Sequence, residues 1–221
     1  NVLVRPTVEA QTIDDGKEII FSPRLIAQND NLFPMGVQAG AMRPNSVLLW
    51  SYVEAAAPVL LRMWRETEDG KVVIVHEETV TPASNGSIKI SVDKLAPATV
   101  YRYAFFEIAG DVYVGRSAIG TVRTAYPSSW VWPLVVGATC CTNWRNAPYE
   151  ALSVLSEKTF DLSVHLGDTS YNDAASTLDE YRRLWGETLR MKGYRDLLPK
   201  AGMYITWDDH EFANNLNPET M

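Results

Sequence analysis

Residues from about 30 to 125 alternate apolar and polar positions with a period of two, and hold no helical periodicity long enough for a helix. The alternation predicts strands at Val47–Val53, Val59–Trp64, Val72–His76, Ile88–Val92, Val100–Ile108 and Val112–Thr121. Turn-forming residues separate them, at Asp69-Gly70, Asn85-Gly86 and Gly110-Asp111. Ahead of the longest strand, Leu95-Ala-Pro97-Ala-Thr99-Val-Tyr101 has the spacing of a tyrosine corner, in which a phenol bonds back to nearby backbone. A small antiparallel sandwich follows. Trp50, Trp64, Tyr101 and Tyr103 read as its packing residues, and His76, inside a strand, reads as structural.

Residues 1–29 carry a weaker pattern. Gln11-Thr-Ile-Asp14-Asp15-Gly16-Lys17 is polar and turn-rich, so this stretch is expected to be an arm or an edge strand. At Tyr126-Pro127-Ser128-Ser129 the period changes, and from 130 to 221 strand and helix patterns alternate in βαβ order. Strands are predicted at 133–140, 161–167 and 203–207. A helix is predicted near 147–158 with Asn146 as its cap and Pro148 in its first turn. A second, near 177–191, has Ser176 as cap and Leu178, Tyr181, Trp185 and Leu189 on one face. A short helical turn is placed near 194–199.

Each of these three strands stops at a polar cluster: Cys140-Cys141, then Gly167-Asp168-Thr-Ser-Tyr171, then Asp208-Asp209-His210-Glu211. In an α/β sheet ligands bind beyond the carboxyl ends of the strands, so the three ends can converge. A Gly-Asp after a strand is ordinarily a turn. Four adjacent titratable groups are rarer, because they repel unless a cation or solvent compensates. Asp168 stands where a carboxylate can bridge two cations. A phenol at Tyr171 and a thiolate from Cys140 point to a transition metal, with Fe(III) the best single choice. Asp208, Asp209 and Glu211 offer hard oxygens suited to Ca(II), Mg(II) or Mn(II). His210 can act as a ligand, a phosphate contact or a general acid. Such a mixed pair suits hydrolysis of a phosphate ester, one cation holding the attacking hydroxide and both clamping the phosphoryl oxygens.

Composition narrows the class. A hydrophobic content of 46% and a charged content of 21% are those of a globular chain. No apolar run is long enough for a transmembrane segment. The net charge of −7 leaves no evident basic face for nucleic acid, yet does not exclude a phosphate-bearing substrate where bound cations invert the field. The two cysteines are adjacent, which disfavours a disulfide between them.

The ordered set of motifs resembles the PhoD-like alkaline phosphatases, a branch of the calcineurin-like metallophosphoesterases. Thr139-Cys140, His165-Leu-Gly-Asp168-x-x-Tyr171 and Trp207-Asp-Asp-His-Glu211 resemble that family's first three catalytic motifs. Phe33-Pro34-Met-Gly36-Val-Gln-Ala-Gly40 with Val47-Leu-Leu-Trp50, and Gly120-Thr-Val-Arg-Thr124, resemble the opening and exit of its N-terminal domain. The Leu-x-Pro-x-Thr-x-Tyr stretch is similar to fibronectin type III domains. The fold so implied is an all-β fibronectin type III-like sandwich at 30–125, followed by the first part of an α/β/β/α metallophosphoesterase domain at 130–221.

By that resemblance Cys140, Asp168 and Tyr171 would hold Fe(III), and Asp168 would be shared with Ca(II). Mn(II), Mg(II) or Zn(II) are the other candidates for this site. Asp209 stands where related enzymes have the Asn of Gly-Asn-His-Glu, with Asp208 beside it, and His210 matches the histidine that contacts phosphate or assists the leaving group. Family members usually have a single cysteine at the first motif, so Cys141 leaves the choice of ligand open, with Cys140 favoured by register. The family's late ligands include a histidine, whereas this chain has only His76, His165 and His210. The expectation is therefore a phosphoric ester hydrolase, inactive as this chain alone and completed by a downstream segment or second chain. A missing initiator Met and the resemblance lead us to expect export to the periplasm, cell surface or medium by a twin-arginine signal. The competing readings are a non-catalytic binding module from a truncated relative and a phospholipase-type phosphodiesterase.

Overall fold

The computed structural model describes residues 21–216 and 219, apart from 56, 69, 70 and 111. The polar segment Gln11–Lys17 and the Asp69-Gly70 turn fall outside the described residues.

The alternating region forms two antiparallel sheets. One pairs β1 (Val37–Arg43), β2 (Ser46–Tyr52) and β5 (Ser87–Val92). The other runs β4 (Val72–Val80), β3 (Val59–Glu66), β6 (Val100–Ala109) and β7 (Val112–Arg116), and β8 (Gly120–Arg123) also pairs with β6. Between the sheets lie Phe33, Val37, Leu49, Leu61, Met63, Ile88, Tyr103 and Phe105, the inward set of each strand. Strand β3 is buried on both faces over Val59–Trp64. Its outer side, with Trp64, Phe106 and Tyr113, is covered by Phe21 and Ile26. The arm is thus a packing element over its described part, and its only strand-like feature there is a bridge from Gln28 to Arg116.

The tyrosine corner is present, the Ala96 N–H donating to the Tyr101 hydroxyl at 2.9 Å. Two strands differ from the pattern. β1 was hidden because Gly36, Gly40 and the Pro34 turn interrupt its alternation. The strand expected over 112–121 breaks at Ser117, whose hydroxyl accepts the Phe105 N–H at 3.0 Å and so substitutes for a ladder bond.

Strands β9 (Val136–Thr139), β10 (Leu162–His165) and β11 (Gly202–Ile205) form a parallel sheet in the order β11-β10-β9. They are shorter than predicted, and residues 130–135 approach β9 as an exposed, irregular segment. Helix α1 (Glu150–Ser156) starts later than expected. Tyr149, at φ 66°, stands at its N-cap with no side-chain bond, while Asn143 rather than Asn146 caps a short 3-10 turn before it. Helix α2 (Leu178–Leu189) is capped by Thr177 and Glu180 in a full capping box, one residue beyond the predicted Ser176. Leu178 lies on its exposed side, and the positions α2 buries are Gly186 and Thr188. Helix α3 (Lys192–Leu197) follows at once.

Helices α1 and α3 pack on one face of the parallel sheet through Tyr149, Leu152, Tyr194, Leu197 and Met203. Gly137 lets α1 approach closely there, since a Cβ would sit 3.1 Å from the Leu155 side chain. The opposite face presents Val136, Leu166 and Tyr204 to solvent. The α3–β11 segment meets the sandwich: Arg195 pairs with Asp30, the Thr121 N–H donates to Pro199 O at 2.7 Å, and Gly202 lies against Met42. The carboxyl ends of all three parallel strands are thereby held on one side of the molecule.

Candidate metal centre

The ends of β9 and β10 are tied by backbone bonds. The Cys141 N–H donates to Gly167 O at 3.1 Å, and the Thr142 N–H to Asp168 O at 2.9 Å. Cys141 (φ 57°) and Asp168 (φ 56°) both adopt the left-handed conformation, uncommon outside glycine and frequent at functional sites. Gly167, at φ 103°, has no room for a side chain, because a Cβ would lie 2.6 Å from that of Asp208. The loop after β11 therefore packs directly onto the loop after β10.

Glu211 joins these loops. It is buried, and its carboxylate accepts the N–H groups of Asp168 (3.1 Å), Asp208 (2.9 Å) and Thr169. Both its oxygens are occupied, so Glu211 clamps the site and is not the free hard-oxygen donor that its sequence position allows. Asp168, Asp209 and His210 bring ligand atoms within 4.8 Å of one another, the one such group among the described residues. The buried and the half-buried carboxylate at that separation fit a small hard cation, with the imidazole close enough to act on what such a cation binds.

The remaining expected ligands surround this trio unevenly. The Tyr171 hydroxyl donates to Asp168 Oδ2 at 3.3 Å, while the His210 N–H points to Asp168 Oδ1 at 3.4 Å. The two oxygens of Asp168 thus face different neighbours. Cys140 and Cys141 are both exposed at the end of β9, and Asp168 is among the neighbours that act on the Cys141 thiol. Asp208 is exposed and lies outside the trio. The Asp209 carboxylate also accepts the Asn215 N–H.

These groups hold their protons tightly. The Cys140 contact, burial and Asp168 together push the Cys141 thiol to about 12. Burial, Asp168 and Cys141 push the Tyr171 phenol to about 12. A cation would reverse both, since its charge dominates local acidity and deprotonates a coordinating thiol.

Three contributors escape the sequence. Asp173 accepts a 2.7 Å bond from His210 Nδ1, and this contact raises the imidazole against the lowering effect of partial burial. Asn-Asp at 172–173 reads only as turn chemistry, so nothing marked Asp173. The Tyr171 and His210 rings lie 4.1 Å apart. Below them His165, fully buried and pushed down to about 4 by desolvation, bonds Thr169 and Tyr194. Its place in the Gly-Asp motif suggested no such structural role.

Comparison with known proteins places both regions of the chain in one family. The family described as "PhoD-like phosphatase, N-terminal domain" matches residues 22–126, and "PhoD-like phosphatase" matches 134–221. Alkaline phosphatase D of Bacillus subtilis (strain 168) is 24% identical over 213 residues, covering 83% of this chain. The chain spans 36% of that relative's length. The structure of PhoD superposes with a TM-score of 0.68 at 23% identity, covering 83% of this chain and 40% of its own. Purple acid phosphatase PPD1 from yellow lupin (Lupinus luteus) seeds superposes at 0.52 with 11% identity, covering 78% of this chain and 34% of its own. These last two show a shared fold. With both of its regions matched in order, the chain belongs to the PhoD-like phosphatases.

Proposed function

We propose that this chain carries the first ligands of a dinuclear centre that hydrolyses phosphate esters. The observation that carries the reading is the convergence of Asp168, Asp209 and His210 within 4.8 Å, with Tyr171 on the far oxygen of Asp168. Two cations held there would neutralise the phosphoryl oxygens and lower the pKa of an attacking water. Asp168 faces both sides of the site and is the natural shared carboxylate. On one side Tyr171 and a thiol of the Cys140-Cys141 pair make a set suited to Fe(III); on the other, Asp209, with Asp208 nearby, suits Ca(II).

His210 donates from Nδ1 to Asp173, which leaves Nε2 to meet a substrate oxygen. With its pKa raised, the imidazolium can give that oxygen a proton as the bond to phosphorus breaks. Phosphate monoester, diester and lipid ester share this chemistry.

The sandwich and the α/β region divide at the 126–130 linker in this reading, and further polypeptide of the same protein completes the second. Support comes from the open face of the parallel sheet, where Val136, Leu166 and Tyr204 are exposed with Trp207 near its edge. Apolar exposure on that scale marks an interface. The fraction of each relative's length that the chain spans agrees. Export of the protein already folded with its metal loaded, by a twin-arginine signal, is part of the same proposal. No helix among the described residues is long and apolar enough to cross a membrane.

Metal analysis combined with visible spectroscopy tests the assignment. The iron-loaded protein should show a ligand-to-metal band that Tyr171→Phe shifts or removes. Pure active protein that is colourless and contains only zinc or magnesium would overturn the iron assignment.

A further inference from the structure

We propose that Tyr194, on α3, is a positioning residue of this centre. Its hydroxyl closes a buried relay through His165 and Thr142 that holds the Cys141 and Asp168 loops in register. The inference rests on the metal reading above, and its first readout needs no metal.

Tyr194, His165 and Thr169 are fully buried and Thr142 nearly so. Thr142 Oγ1 lies 2.9 Å from Thr169 O and 3.2 Å from Asp168 O, carbonyls that only accept. Its single proton therefore goes to them. The 2.6 Å contact with Tyr194 must then carry the phenol's proton toward Thr142. Tyr194 Oη is left to accept from His165 Nε2 at 3.0 Å, and His165 Nδ1 to accept from Thr169 Oγ1 at 2.9 Å. Every hydroxyl donates once, and the imidazole is neutral with its proton on Nε2. The reverse direction would take the Thr142 proton from Thr169 O at 2.9 Å, whose other hydroxyl neighbour, Tyr194, is 3.4 Å away.

Thr142 and Thr169 directly follow Cys141 and Asp168, the two left-handed residues of the site. Tyr194 reaches them from outside both loops, anchored in the helix layer by an edge contact with Tyr149 at 5.7 Å. The ring supplies packing that phenylalanine would retain. The hydroxyl alone supplies direction, as outer partners of a metal site commonly do.

The test compares Tyr194→Phe, Thr142→Val, Thr142→Ser and Tyr149→Phe with the unaltered chain. Amide hydrogen exchange is read at Cys141 and Thr142, and binding is titrated with Mn(II) alone. Tyr194→Phe and Thr142→Val should speed exchange at both amides by about tenfold or more. They should weaken Mn(II) binding about 10–100-fold. Thr142→Ser, which restores the hydroxyl, and Tyr149→Phe should do neither. Combining Tyr194→Phe with Thr142→Val should add little, because the two break one chain. If the unaltered chain takes no Mn(II), the metal reading falls and exchange alone decides the relay. Unaltered exchange in Tyr194→Phe, or an equal effect of Tyr149→Phe, overturns the proposal. Should Tyr194→Phe not fold, Thr142→Ser behaving like Thr142→Val overturns it instead.

Discussion

Asp209 and Glu211 sit two residues apart in one turn, yet only Asp209 faces the candidate cation, because Glu211 holds three backbone amides. The two should respond differently to substitution. Asp168→Asn removes the proposed shared ligand and should abolish metal occupancy together with turnover; full metal content and activity in that variant would end the dinuclear reading. Glu211→Gln keeps one acceptor oxygen but offers an N–H to donors that need none. It should lower stability by about 1–3 kcal/mol in denaturant titration, the penalty for unmatched buried polar groups. His210→Ala should leave metal bound and slow turnover by about 10²–10⁴-fold if the imidazole is the acid. These assignments were unevenly legible. The types and order of Cys140, Asp168, Tyr171 and Asp209 are local facts of the chain, but the consumption of Glu211 by amides and the pairing of His210 with Asp173 depend on two loops meeting.

At the scale of elements, the capping box of α2 shows what composition leaves open. Ser176 and Thr177 are equally good caps by type, and the choice falls on Thr177 because its hydroxyl accepts the Glu180 N–H while Glu180 returns to the Ser176 and Thr177 amides. Those bonds, the Ser176 amide first, hold the Glu180 carboxyl down at about 2. Thr177→Ala should lower stability by about 1 kcal/mol and Ser176→Ala by less, measured as shifts of the denaturation midpoint. The shortened β9 has a related explanation. Residues 130–135 carry a strand's composition, but β10 pairs only from Val136 onward, and no further strand among the described residues extends the ladder.

At the scale of the whole molecule, burial makes His165 a pH-sensitive part of the fold. Its folded value is pushed down to about 4 by desolvation, partly offset by Glu211 and Asp168, against about 6.5 in an unfolded chain. Between those values the unfolded state binds more protons. The stability His165 contributes is present above pH 6.5 and lost as pH falls toward 4, by up to about 3 kcal/mol. His210 acts with opposite sign, because its pKa is raised: its contribution fades as pH rises through that value. Denaturation midpoints between pH 7 and pH 4 should therefore fall more steeply in the unaltered chain than in His165→Gln. Parallel slopes would show that His165 does not set the acid limb.

Period-two alternation in residues 30–125, and apolar runs ending in Asp, Tyr and His after 130, are properties of contiguous sequence, so the sandwich and the polar ends of β9, β10 and β11 could be read directly. The same holds for the tyrosine corner, whose partners lie five residues apart. Only the tertiary structure decided that Glu211 is a clamp, that Asp173 holds His210, and that Tyr194 reaches His165 from another element. It also decided which sheet face α1 and α3 cover, since Leu162, Val164 and Leu166 are as apolar as any core strand and yet lie on the open side. The physical reason is common to these cases. Directional bonds between side chains and distant backbone depend on the angle at which loops approach, whereas local pattern records only which residues avoid water.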